Sequence, residues 1–221
     1  GHFWTWVASI HFTTIANSSV LVSTQPLFVA GLSVAFLGEV PSRRQWAGIL
    51  VAVLGAVVLG SGSFGLGGRA LLGDALALSA GVMAAGYFSI GRSLRQKLDL
   101  WAYTAIVYGA AAGVLLLAVV FSPEVPLSGY PARDWLIFLA LAAGPMMIGH
   151  TGINYALRYL PAYVANLASL GEPVGATLIA WVLPAIAEVP PPQTLLGGVL
   201  ILLGIALGTV GFTGQTEPDS D

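Results

Sequence analysis

The chain has 221 residues, 57% of them hydrophobic and only 8% charged, with a formal net charge of −2 and a mean hydropathy of +0.86. A water-facing surface usually needs about a quarter of its residues charged, so this composition excludes an ordinary soluble domain and indicates an integral membrane protein. The absence of cysteine excludes disulfides, thiolate chemistry and Cys-based metal sites, and eight basic residues make no nucleic-acid patch.

Charged residues punctuate the chain. A bilayer core needs roughly 20 apolar residues of helix, and the uncharged runs predict eight spans, at 1–14, 15–37, 45–63, 74–92, 100–121, 135–157, 160–183 and 193–213. The runs lack the alternation of a membrane barrel, so the expected fold class is an all-α integral membrane protein. Trp46, Trp101 and Trp135 each open a span, where an interfacial aromatic belt places them. Alternating connectors put Arg43, Arg44, Arg92, Arg95, Lys97 and Arg158 on one side and only Arg69 and Arg133 on the other. The positive-inside rule makes the first side, and the C-terminus with it, cytoplasmic.

The first two spans bring a polar stripe, Thr14, Ser18 and Gln25, with Gln25-Pro26 inside an apolar run that closes on Glu39-Val40-Pro41. Span six carries His150 and Asn154 one turn apart, with Arg158 a turn further on. Span seven carries Asn166, Ser169 and then Glu172-Pro173, and its run closes on Glu188-Val189-Pro190. Apart from Asp74 and Arg92, which bound the span 74–92, Glu172 is the only formally charged side chain inside any predicted span. A central carboxylate costs several kcal/mol unless protonated, paired or wet, and desolvation raises its pKa, which suits exchange of a proton or contact with a substrate amine. Pro26 and Pro173 each remove a helix hydrogen bond. Paired interruptions of this kind point to a central site.

The chain matches itself. Pro26 pairs with Pro173 at an offset of 147, and Glu39-Val40-Pro41 with Glu188-Val189-Pro190 at 149, as do Gly48 with Gly197, Leu54 with Leu203 and Gly55 with Gly204. Span two thus corresponds to span seven and span three to span eight. Five spans separate the copies, an odd number, so the copies cross the membrane in opposite directions, as in inverted-repeat transporters. Two five-helix units need ten spans; eight are present, and the expectation is that about two helices of the first unit lie upstream of Gly1. The organisation expected is 1–65 for the remainder of the first repeat, 70–214 for the second and 215–221 for a cytoplasmic tail.

These features resemble the EamA-type transporters of the drug/metabolite transporter superfamily. The first copy reads Pro26, eleven apolar or small residues, Gly38-Glu39, VPSRR, then Gln45 and an aliphatic run with spaced glycines; the second reads Glu172-Pro173 to Glu188, then Gln193. Ala187 stands where Gly38 stands in the first copy. The resemblance implies a multi-pass carrier in the cytoplasmic membrane that moves small metabolites, amino acids or related compounds and drugs, by alternating access. Export, proton coupling and a homodimer are further expectations, with the lipid bilayer as the other partner and no nucleic acid, cofactor or metal. Gln25, Glu172, Asn166, Ser169, Ser18, His150 and Asn154 are the candidates for substrate binding or coupling, with Pro26 and Pro173 as helix breaks.

Three Gly-x-x-x-Gly patterns, at 109/113, 171/175 and 204/208, permit close helix approach. The G-x-G-x-x-G match at 60–65 follows a membrane span rather than a strand and reads as a connector. A non-transporting membrane scaffold is the competing reading. An intramembrane enzyme ranks below it, because no Cys and no His/carboxylate cluster exists to build one.

Overall fold

In a computed structural model the residues described are 1–61, 69–121, 128–182, 184 and 189–209, and helices account for their regular structure. The connector at 62–68, the residues Ala187 and Glu188 and the tail at 215–221 lie outside them. The helices are α1 (His2–Ser9), α2 (Ile15–Val22), α3 (Gln25–Leu32), α4 (Arg43–Gly60), α5 (Ala70–Arg95), α6 (Leu100–Val120), α7 (Ala132–Leu141), α8 (Thr151–Ala156), α9 (Ala162–Ser169), α10 (Glu172–Val182) and α11 (Pro192–Thr209). Two π-helical segments, Ser33–Leu37 and Ala142–His150, continue α3 and join α7 to α8.

Six helical stretches among the described residues are long and apolar enough to cross a membrane: Asn17–Leu37, Arg43–Gly60, Ala70–Arg95, Leu100–Val120, Ala132–Ala156 and Pro192–Thr209. The two remaining predicted spans take other forms. In 1–14 only the eight residues of α1 are α-helical. In 160–183 the run is divided at Leu170–Gly171 into α9 and α10, because Pro173 has no N–H to continue a helical ladder.

The chain forms two compact units, residues 1–90 with 160–221, and residues 91–159. In the first unit, helix ends are set by local chemistry. Thr14 caps α2 by accepting the Asn17 N–H at 3.1 Å. Ser42 and Gln45 form a reciprocal capping box at the start of α4, which satisfies two of the donors a helix start leaves open. Gly38 ends the first π segment with φ +68°, a left-handed conformation that glycine adopts without a Cβ penalty, and the Glu39 N–H then reaches back to the Ser33 carbonyl at 3.1 Å.

The centre of this unit is the pair α4 and α11. A Cβ on Gly48 would lie 2.7 Å from the Gly204 carbonyl oxygen and 2.6 Å from Gly208 Cα, and one on Gly55 would lie 2.8 Å from the Gly197 oxygen and 2.6 Å from Ile201 N. Rising residue numbers on α4 therefore meet falling numbers on α11, so the two helices are antiparallel and in backbone contact. Ile49, Ala52 and Ala56 of α4 and Ile201 of α11 are buried around this seam. Of the three Gly-x-x-x-Gly patterns, only 204/208 packs in this way. A Cβ on Gly109, Gly113 or Gly175 meets nothing within 4 Å among the described residues.

Element lengths repeat in register. α2 and α9 are both eight residues and start 147 apart, at 15 and 162; α3 and α10 also start 147 apart, at 25 and 172. α4 and α11 are both 18 residues and are offset by 149 at each end, 43 to 192 and 60 to 209.

In the second unit, Asp99 caps α6 by accepting the N–H groups of Trp101 and Ala102, each at 2.9 Å. The Ala102 N–H, and then the Trp101 N–H and the Arg95 guanidinium, hold its carboxyl below the usual carboxylate range. A depressed folded-state pKa means a contribution to stability that is present above the ordinary Asp value and lost as pH falls through the folded value. Asp99→Asn is therefore expected to lower the melting temperature at neutral pH and to narrow the difference between neutral and acid melts, measured by thermal unfolding in detergent.

The nine-residue π segment surrounds Pro145, whose missing N–H and ring clash disturb the α ladder. The Met146 carbonyl, which accepts the Thr151 N–H, also has Tyr108 Oη and Thr151 Oγ1 each at 3.3 Å, and those two hydroxyls lie 3.0 Å apart, their two protons shared among the three contacts. Trp135, Leu136, Ile137, Phe138 and Leu139 are exposed, an apolar surface suited to hydrocarbon, and Tyr130, Trp135 and Phe138 stack edge to face at the start of α7.

The basic cluster has a role that charge counting alone does not assign. Arg95 is 2% exposed; its Nε donates to the Asn154 carbonyl at 2.9 Å and its Nη1 to the Leu98 carbonyl. Arg92 Nη1 donates to the carbonyls of Leu157 at 3.0 Å and Arg158 at 2.7 Å. Both guanidiniums thus cap the C-terminal end of α8, where carbonyls lack intrahelical partners and cations are favoured. Arg95→Met is expected to destabilise the purified protein by about 2–4 kcal/mol, since each buried carbonyl left unpaired costs about 1–3 kcal/mol. Arg95→Lys should recover only part of this, because an ammonium does not reproduce the fork; chemical denaturation in detergent measures both.

Candidate functional site

The candidate site is built from two helix breaks, at 23–24 and 170–171. α2 ends at Val22, and the hydroxyls of Ser23 and Thr24 donate to the carbonyls of Ser19 at 2.7 Å and Leu21 at 2.6 Å. α3 then restarts with Gln25 and Pro26 as its first two residues. α9 ends at Ser169, whose hydroxyl donates to the Asn166 carbonyl at 2.6 Å, and α10 restarts with Glu172 and Pro173 as its first two residues. Each proline thus sits in the first turn of a new helix, where its missing N–H matters least. The break falls just before the proline in each span, at 23–24 and at 170–171.

The two breaks touch. Gln25 Nε2 donates to Ser169 Oγ at 3.2 Å. The Ser169 proton is already committed to the Asn166 carbonyl, so its oxygen is free to accept. Asn166 is 0% exposed, and neither its Oδ1 nor its Nδ2 has a hydrogen-bond partner among the described residues. Buried side-chain amides are nearly always paired, which makes this a place where polar capacity is held unused. Glu172 is exposed and stands at the N-terminus of α10, where the helix dipole favours a negative charge. Its cost at this depth is therefore lower than an apolar run alone suggests.

Ser18 is fully buried but its hydroxyl pairs with Ser9 of α1 at 2.6 Å. The interruption at 23–24 also breaks the helical register on which a single stripe through Thr14, Ser18 and Gln25 depends. Ser18 thus serves helix contact rather than the Gln25–Ser169 group. His150 and Asn154 belong to the second unit. His150 is half-buried at the end of the π segment, and Asn154 is 0% exposed, with its backbone carbonyl held by Arg95. In the same unit Tyr103 packs its hydroxyl against Gly91, where a Cβ would lie 2.8 Å from it.

Glu39 and Gln45, marked in the sequence only as positions of the repeat, meet the start of α9 at one end of the first unit, where Tyr163 joins them. Glu39 Oε2 accepts the Ala162 N–H at 3.1 Å, and Tyr163 Oη donates to Gln45 Oε1 at 3.1 Å. The recurrence of Glu39 as Glu188 and of Gln45 as Gln193 is the sequence signal for two of them; Tyr163 carries none. Among the described residues no three His, Asp or Glu side chains come together to hold a metal ion.

Comparison with known proteins follows this geometry. The model of the EamA-like transporter family matches residues 1–61 and 71–210. A relative named Uncharacterized transporter YdfC, from Bacillus subtilis (strain 168), is 26% identical over 188 residues, which is 85% of this chain and 60% of the relative. The chain thus spans about three-fifths of that protein's length. A protein of known crystal structure shares the fold with a TM-score of 0.79 at 23% identity, over 95% of this chain and 72% of its own.

Proposed function

We propose, from the premise that this chain belongs to the EamA-like transporter family, that it is a secondary carrier moving small metabolites by alternating access. The substrates on this reading are amino acids, related compounds or drugs, carried outward across the cytoplasmic membrane, with the C-terminus on the cytoplasmic side and proton coupling through Glu172. The observation that carries the reading is the contact between matched helix breaks, Gln25 to Ser169 at 3.2 Å.

Eight spans in two inverted repeats are part of the same proposal. The register of 147 and 149 residues between α2 and α9, α3 and α10, and α4 and α11 supports it. So does the direction of α4 and α11, equivalent helices that run antiparallel. Their contacts are also reciprocal. Gly48 meets Gly204 and Gly208, and the residues 149 from these positions, Gly197 with Gly55 and Leu59, meet in turn. A two-fold axis in the membrane plane produces such pairs, and broken helices at that level are where such carriers bind their cargo.

The test is flux in proteoliposomes. A panel of amino acids, amines and cationic drugs should show saturable uptake, stimulated by substrate loaded on the opposite side and abolished by a protonophore. Flux that rises without saturation, or no flux for any member, argues for a pore or a scaffold instead.

A further inference from the structure

We infer that Glu39 is a positioning residue for transport: its carboxylate latches the start of α9 and so closes one face of the site, an inference that rests on the carrier reading above. α9 begins after Pro161, which offers no side-chain acceptor. The N–H groups of Val164 and Ala165 reach the Pro161 carbonyl at 3.0 and 3.1 Å, and the Ala162 N–H goes to Glu39 Oε2 at 3.1 Å, across 123 residues of chain. A carboxylate suits this place, since it accepts a charge-assisted bond and meets the positive end of the helix.

Glu39 is itself held in position. Gly38 turns the chain in the left-handed region and the Glu39 N–H is fixed to Ser33. A second grip lies one residue further along α9, where Tyr163 donates to Gln45; the same Gln45 oxygen accepts the Ser42 N–H at 2.8 Å in the α4 capping box. The segment from 39 to 45 therefore holds the first turn of α9 at two points. Asn166 and Ser169 lie one and two turns beyond. Moving α9 to open Asn166 toward the face that carries Arg43 and Arg44 breaks both bonds.

The equivalent helix start is capped differently. Ala162 lies 147 residues after Ile15, the first residue of α2, and there the cap is local, with Thr14 accepting the Asn17 N–H. A local cap travels with its helix. A cap supplied from a distant segment does not, and it can be released without melting the helix end. This difference makes Glu39 a latch rather than a routine cap.

The chain has no cysteine, so single thiols report accessibility without background. Ala165→Cys places a thiol on buried α9, and Ser18→Cys places one 147 residues earlier on α2. A membrane-impermeant maleimide is applied to sealed vesicles from the Arg43/Arg44 face for the first and from the opposite face for the second. Glu39→Ala is expected to raise labelling of the Ala165→Cys thiol about tenfold, the size of effect that loss of one charge-assisted bond has on a two-state equilibrium. It should lower labelling of the Ser18→Cys thiol. Glu39→Gln keeps an acceptor oxygen and should give a rise of about threefold or less, as should Tyr163→Phe.

Unchanged labelling of the Ala165→Cys thiol in a folded Glu39→Ala protein overturns the latch, whatever substrate flux shows. Should Glu39→Ala fail to fold, unchanged labelling in both Glu39→Gln and Tyr163→Phe overturns it equally. A rise at Ala165→Cys with no fall at Ser18→Cys supports the latch and counts against alternating access, so the two ideas fail separately.

Discussion

Replacing Gly204 with leucine is expected to prevent α4 and α11 from docking and to abolish recovery of folded protein. A Cβ at this position would lie 2.6 Å from the Gly48 carbonyl oxygen and 2.7 Å from Ala52 Cα. Both are backbone atoms, so neither can swing aside as a side chain would. The helices must separate, and with them go the contacts that bury Ile49, Ala52, Ala56 and Ile201. Overpacking a well-filled core costs about 1–3 kcal/mol where side chains can adjust. Where backbone must move along a whole seam the cost exceeds that range, and in lipid no hydrophobic force between helices offsets it.

The matched control lies on α6. A Cβ on Gly109 meets nothing within 4 Å among the described residues, so Gly109→Ala is expected to stabilise by about 0.5–1 kcal/mol through helix propensity alone. Size-exclusion profiles and thermal melts of the two variants in detergent should therefore move in opposite directions. Equal behaviour of Gly204→Leu and Gly109→Ala would show that the α4–α11 seam does not hold the fold.

The contrast between those glycines marks what the sequence made legible and what it did not. Composition alone identified the membrane class, and the 147 and 149 offsets located elements whose starts then coincided in the fold. The three Gly-x-x-x-Gly patterns looked alike in sequence, yet among the described residues only 204/208 meets the backbone of a helix distant in sequence. Spacing states which side of a helix is small, and not whether a neighbour lies against it. Span seven was legible as an apolar run with a proline, but its break falls before that proline, where the Ser169 hydroxyl takes the Asn166 carbonyl, a local hydrogen bond that hydropathy does not register.

The site was legible in part for the same reason. Gln25 and Ser169 stood out because polar residues in apolar runs are costly, and they meet. Ser18 stood out equally, and its hydroxyl serves Ser9. Glu39 was legible only as a position of the repeat, and Arg92 and Arg95 only as topology signals. Their geometry assigns them to helix termini, Glu39 to the start of α9 and the two arginines to the end of α8. Charge complementarity to a helix end is a property of three-dimensional placement, and no periodicity in the chain announces it.

On the proposed coupling through Glu172, Glu172→Gln is expected to uncouple transport from the proton gradient. Glu172 is the only formal charge in the interior of a predicted span, Asp74 and Arg92 standing at the two ends of 74–92, and it opens α10 as Gln25 opens α3, 147 residues earlier. Glutamine at 172 makes the two copies alike at this corner, and since Gln25 already occupies its own corner without strain, the variant should fold. What it removes is a titrating group. Where one carboxyl controls the rate, transport changes by up to about tenfold per pH unit on one side of its pKa, and in Glu172→Gln that slope should flatten while protonophore sensitivity disappears. Gln25→Glu supplies the converse, a second carboxyl at the mirrored corner, and should steepen the dependence on pH. Flux in proteoliposomes across a series of imposed pH gradients reads both. A Glu172→Gln protein that keeps its pH slope and its protonophore sensitivity removes Glu172 from coupling. One that folds but binds no substrate at any pH makes it instead the counter-charge for a substrate amine.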